Sequence, residues 1–143
     1  MEPLHYLLMK TQSQLHRQIM AQAADLGLSP GQPKILECLS ECGECNQKTI
    51  ARYCEIEQAT VGSILLRMER DGLVRRTQKD GNRRALYVSL TDRGRQAALQ
   101  VQQIFQQYDA RAVSGLSTEE SLLLNQLLQR VYDAISQPER KSF

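Results

Sequence analysis

The stretch Gln58-Ala59-Thr60-Val61-Gly62-Ser63-Ile64-Leu65-Leu66-Arg67-Met68-Glu69-Arg70-Asp71-Gly72 presents two different faces at one helical period. Val61, Ile64, Leu65 and Met68 fall on a stripe fit for burial. Thr60, Ser63, Arg67 and Arg70, spaced 3, 4 and 3 residues apart, line up on a separate and wholly polar face. One face packs; the other is left free to hydrogen-bond a partner. Asp71-Gly72 closes the helix.

Upstream, Gln47 to Cys54 reads as a short helix burying Ile50, Ala51 and Cys54, and it ends only a few residues before Gln58. Ser29, Pro30 and Gln32 have the form of an N-cap, a proline at the first helical position and a capping box. They predict a helix running through Ile35, Leu36 and Leu39 to about Glu41, with a turn around Gly43. Leu4, Leu8, Leu15, Ile19 and Leu26 predict an opening amphipathic helix from Pro3 to about Asp25, stopped by Gly27.

Downstream, Leu73-Val74 and Ala85 to Leu90 read as two strands joined across a polar loop, Gln78 to Arg83, that contains Asp80-Gly81-Asn82. Thr91-Asp92 then caps a long helix with Ala97, Val101, Ile104, Phe105, Tyr108 and Ala112 at helical spacing. Ser117 and Glu120 form a capping box for a last helix striped by Leu123, Leu124, Leu127, Leu128, Val131 and Ile135, and the tail after Pro138 is expected to be loose. The chain is thus expected to be mainly α with one small β-hairpin.

A chain of 143 residues, 41% hydrophobic and 24% charged, has the size and balance of one ordinary domain that folds in water, which excludes a disordered or membrane-spanning class. No apolar run approaches the ~18 residues of a membrane span, and Met1 to Lys10 lacks the basic start and long apolar stretch of a signal peptide. A cytoplasmic location is expected. The net charge of +2 conceals an asymmetry: Arg67 to Arg95 holds nine bases and four acids, or +5, and the remainder carries −3. A basic segment in an acidic body points to a polyanionic partner, the alternative being a solvated surface with no partner.

Two short helices, a tight connection and a polar-faced third helix make a helix-turn-helix, and the basic hairpin behind it adds a wing. A helix fits the major groove of DNA, and a thin loop carrying Arg83 and Arg84 can follow the backbone or enter the minor groove. The runs Ile50-Ala51, Ala59-Thr60-Val61, Leu66 through Arg76, Asn82-Arg83-Arg84-Ala85 and Val88 through Gly94, with the later Gly115-Leu116-Ser117-Thr118-Glu119-Glu120, resemble the MarR family of bacterial transcription regulators. The resemblance covers roughly Leu4 to Ser136.

It implies one domain over 1–143, with 4–26 and 92–136 as dimerisation helices flanking a winged helix-turn-helix at 29–90. It further implies a homodimer whose first, fifth and sixth helices interlock, seated on a pseudo-palindromic double-stranded DNA operator, and a repressor released by a small-molecule effector. Thr60, Ser63 and Arg67 match its recognition helix and Arg84 its wing arginine. Asn82 departs from the pattern, standing where the family usually has an aspartate that pairs with the wing arginine, which leaves Asp80 as the nearby carboxylate.

The candidate DNA-binding residues are therefore Gln58, Thr60, Ser63, Arg67, Arg70, Lys79, Asn82, Arg83 and Arg84. Plainer readings stand beside them: Arg67 as a solvated helix charge, Arg70, Arg75 and Arg76 as partners of Glu69 and Asp71, Gln58 as part of the helix start. Tyr6, Phe105 and Tyr108 read either as a pocket lining or as core. His5 and His16 lie about 16 Å apart along one helix, too far to share a metal, and no cofactor or metal is expected.

Cys38, Cys42, Cys45 and Cys54 fall within seventeen residues. An axial separation of about 13 Å between Cys45 and Cys54 argues against a four-cysteine zinc site, and Cys38 and Cys54 read as core. Cys42-Gly43-Glu44-Cys45 is a C-x-x-C, read either as a pair of sensing thiols, responsive to redox state or metal, or as two ordinary thiols near a helix end. An enzyme is not expected, because a thiol oxidoreductase needs this motif at a strand-to-helix junction of a parallel sheet, and no Ser/His/Asp set or carboxylate pair offers another chemistry. A winged-helix protein-interaction module that does not bind DNA is the remaining class, and the free polar face of Gln58 to Arg70 counts against it.

Overall fold

The computed structural model describes residues 1–78 and 86–136. Along the chain run α1 (Leu4–Asp25), α2 (Gln32–Cys42), β1 (Cys45–Asn46), α3 (Gln47–Cys54), α4 (Gln58–Arg70), β2 (Val74–Gln78), β3 (Leu86–Leu90), α5 (Asp92–Ala112) and α6 (Thr118–Ser136). The chain is mainly helical with a small antiparallel sheet, as its periodicity predicts.

Helix ends follow local chemistry. Gly27 and Gly72, both at φ 76°, end α1 and α4 in the same way: the amides of Leu28 and Leu73 donate back to the carbonyls of Ala23 and Met68, closing the orphaned last turn. The start of α2 differs from expectation. Gly31, at φ 88°, is its N-cap, and Pro33 rather than Pro30 sits in the first turn. The Gln32 side chain still accepts from the Ser29 amide at 3.1 Å, so half of the expected capping box forms across a turn that precedes the helix.

The sheet has three strands where the sequence predicts two, in the order β1-β3-β2. The wing is the β2/β3 hairpin, in register from Val74↔Leu90 to Gln78↔Leu86. β1 adds Cys45↔Val88 and Asn46↔Tyr87 on the other edge of β3, and at two residues it is too short to show any alternation in sequence.

The chain divides into two units, Met1–Gln106 and Gln107–Phe143. The core of the first gathers Ile35, Leu36, Ile50, Val61, Leu65, Met68, Val88 and Val101. On α5, Val101 and Ile104 are buried and Ala97 and Phe105 pack against the core, as expected; Ala98 joins them, and Ala112 is exposed. In the second unit Ser117 and Glu120 form the reciprocal capping box, at 3.1 Å and 2.9 Å, and no residue of α6 is buried.

Candidate nucleic-acid interface

α4 is 13 residues long, too short to be stable in water by propensity alone, so packing must hold it. Val61, Leu65 and Met68 are buried, each contributing roughly 1.5–3 kcal/mol, and α3 packs beside them. The Gln47 side chain donates to the carbonyl of Gln58 at 2.9 Å, bracing the first turn of α4 from eleven residues away. At the other end, the Thr91 hydroxyl donates to the Gly72 carbonyl at 2.6 Å and accepts from the Gly94 amide at 3.0 Å, which ties the exit of α4 to the N-cap of α5.

Held in this way, α4 exposes Gln58, Thr60, Ser63, Arg67 and Arg70 together. The Ser63 hydroxyl donates to the Ala59 carbonyl at 3.3 Å, leaving its lone pairs outward. The arginines divide by partner. Arg76 is held at 3.0 Å by Glu69, as the plainer reading of that pair foresaw. Arg70 is 4.0 Å from Asp71 and largely exposed, a contact worth little. Arg67 and Arg75 are exposed and paired with no described residue. Lys79, Asn82, Arg83 and Arg84, the wing candidates, lie outside the described residues, as does Asp80.

Two features escaped the sequence reading. Leu66 is 60% exposed beside Ser63 and Arg70, and its i+3 spacing from Ser63 was the available signal. Gln47 had none, since its contact spans eleven residues. A cleft of about 610 Å³ opens among Leu26, Leu28, Arg70, Leu73, Arg93 and Gln96. Tyr6, Phe105 and Tyr108 are not among its walls, so this cleft is not the aromatic pocket considered from sequence.

A buried-face, polar-face helix braced on a short helix pair and followed by an antiparallel wing is the winged helix-turn-helix class, whose members are built to place one helix against a nucleic acid. The chain belongs to the MarR family: the family model matches residues 28–86. It is similar to the homoprotocatechuate degradative operon repressor of Escherichia coli, 30% identical over 105 residues that cover 71% of each chain. It is also similar to an HTH-type transcriptional repressor of Mycobacterium tuberculosis, 26% identical over 129 residues, or 90% of this chain and 93% of the other. Among solved structures, a MarR family transcriptional regulator of Listeria monocytogenes complexed with a 26mer DNA superposes with a TM-score of 0.88 at 20% identity, covering 94% of this chain and 90% of that one. The family and these relatives are transcriptional regulators, not enzymes.

Proposed function

We propose that the chain is a homodimeric, sequence-specific transcriptional repressor that binds a pseudo-palindromic operator in double-stranded DNA and leaves it when a small effector binds. The observation that carries this reading is the outward polar face of α4, with the exposed Arg67 guanidinium, which pairs with no described residue, at its centre, on a helix anchored at both ends. Thr60, Ser63 and Arg67 meet base edges, and Leu66 offers an apolar contact to a thymine methyl. Gln58 and Arg70 flank them at the phosphates, and Lys79, Asn82, Arg83 and Arg84 carry the wing to the backbone or minor groove.

Residues 29–90 serve as the reading unit; 4–26 and 92–136 serve dimerisation. Support for dimerisation comes from apolar side chains left in water on each flank, including Leu4 and Met9 on α1 and Leu123, Leu127 and Ile135 on α6. A small anionic effector fits the cleft that Arg70 and Arg93 share, and engaging Arg70 there would withdraw it from DNA. Such a regulator acts in the cytoplasm, where its operator is; among the described residues no helix is long and apolar enough to cross a membrane.

Selection of bound duplexes from a random pool tests the reading. A symmetric motif with half-sites about one helical turn apart is the expected outcome. A pool with no enrichment overturns the proposal.

A further inference from the structure

The fold separates the two thiols that the sequence singles out: Cys42 is exposed, and Cys45 is buried in the core with Cys38 and Cys54. On α4 it leaves a different group in water. Among the described residues between α1 and α5, Tyr53 and Leu66 are the large apolar side chains left exposed. Tyr53 has a polar handle, its hydroxyl donating to Glu37 at 3.5 Å. Leu66 has none and is 60% exposed. Dimerisation covers the apolar side chains of α1 and α6 in the proposed assembly, but Leu66 lies on neither flank.

Its place on the helix is central. Ala59, Ser63, Leu66 and Arg70, spaced 4, 3 and 4 residues apart, form the exposed line of α4 that points away from buried Val61, Leu65 and Met68. Ser63 stands one turn before Leu66 and Arg70 one turn after, with Arg67 beside it. An apolar group framed by a hydroxyl and two guanidinium groups suits a polyanion that carries a small apolar spot on its surface. In the major groove of DNA that spot is the C5-methyl of thymine. We propose that Leu66 is a specificity-determining residue, which reads the methyl of one thymine in each operator half-site and rejects cytosine there; the assignment rests on the DNA-binding role proposed above.

Two effects act in the same direction. Removing the thymine methyl and the leucine from water together favours binding by roughly fourfold per methyl. Where a polar base edge faces Leu66 instead, the side chain displaces water and returns no hydrogen bond, so that base is penalised. A hydrogen-bond donor at this position would discriminate less well, because the thymine O4 and the guanine O6 both accept from it.

The braces on α4 fix which base Leu66 meets. Gln47 holds the Gln58 carbonyl at the head of the helix and Thr91 holds the Gly72 carbonyl just past its end, so the helix neither rolls nor slides easily in the groove. Leu66 and Arg67 differ by about 1.5 Å along the helix axis, less than a base step of about 3.4 Å. The thymine is therefore expected within about two base pairs of the guanine that an arginine such as Arg67 prefers.

The full-length chain first selects its operator from a random duplex pool. Each thymine of the selected motif is then replaced, in both half-sites at once, by deoxyuridine, which lacks the methyl and keeps every hydrogen-bonding group. Affinities are measured by fluorescence anisotropy for the parent, Leu66→Ala and Leu66→Met, with circular dichroism to confirm the fold; alanine at an exposed helix site costs no helix propensity. At one thymine per half-site the parent is expected to lose roughly fifteenfold on the symmetric deoxyuridine duplex, about fourfold for each half-site, and more on the cytosine duplex. 5-Methylcytosine at that position should bind more tightly than cytosine. Leu66→Met should keep the preference for the methyl, and Leu66→Ala should bind the thymine and deoxyuridine duplexes alike. A parent indifferent to every deoxyuridine, a half-site without thymine, or a Leu66→Ala variant with the parent's methyl sensitivity overturns the assignment while the repressor reading stands. A pool with no enrichment overturns both.

Discussion

At Gly94 there is no room for a side chain: a Cβ built there would lie 1.9 Å from the Leu73 carbonyl oxygen. Because the obstacle is backbone, Gly94→Ala must push α5 away from the exit of α4. It is expected to cost about 1–3 kcal/mol or more, read as a lower urea midpoint at unchanged slope. Arg67 and Arg84 act on DNA instead. Arg67→Ala is expected to weaken operator binding by about 1–3 kcal/mol and relax sequence preference. Arg84→Ala should weaken all duplexes alike and flatten the salt dependence by about one charge. Binding isotherms at several salt concentrations separate the two; parental behaviour in both variants would remove the assigned reading surface. Of these residues, Arg67 was readable from its spacing, whereas the tight seat of Gly94 depends on Leu73, twenty-one residues earlier.

Among the elements, α3 and α4 follow the predicted bounds because each carries its own signals, a capping asparagine at one and an Asp71-Gly72 stop at the other. The start of α2 moved because Gly31 at positive φ breaks the path that Pro30 would begin. α6 offers a test of capping by pH. The backbone amide and hydroxyl of Ser117 hold the Glu120 carboxyl below its ordinary value of 4.5. A carboxyl depressed on folding contributes stability above its unfolded-state value, and that contribution is lost as pH falls through the folded-state value. The Ser117 amide resonance should therefore titrate with a midpoint below 4.5, and Glu120→Gln should abolish the titration. A midpoint at or above the ordinary value would mean the box is open in solution.

On the scale of the whole molecule, α6 presents Leu123, Leu127 and Ile135 to water, the last 77% exposed. Neither Leu123 nor Leu127 is buried within one chain, so Leu123→Asp/Leu127→Asp should keep its helicity, become monomeric in sedimentation and bind a full operator far more weakly. A variant that stays dimeric would take α6 out of the interface. The sequence by itself determined the helices, the hairpin and the polar face of α4, since periodicity, caps and charge spacing are local properties carried within a few turns of chain. Only the tertiary structure decided that β1 exists, that Gln47 braces α4 and that Glu69 holds Arg76. Each of those depends on which residues meet after the chain turns back on itself, and no spacing along the chain encodes that.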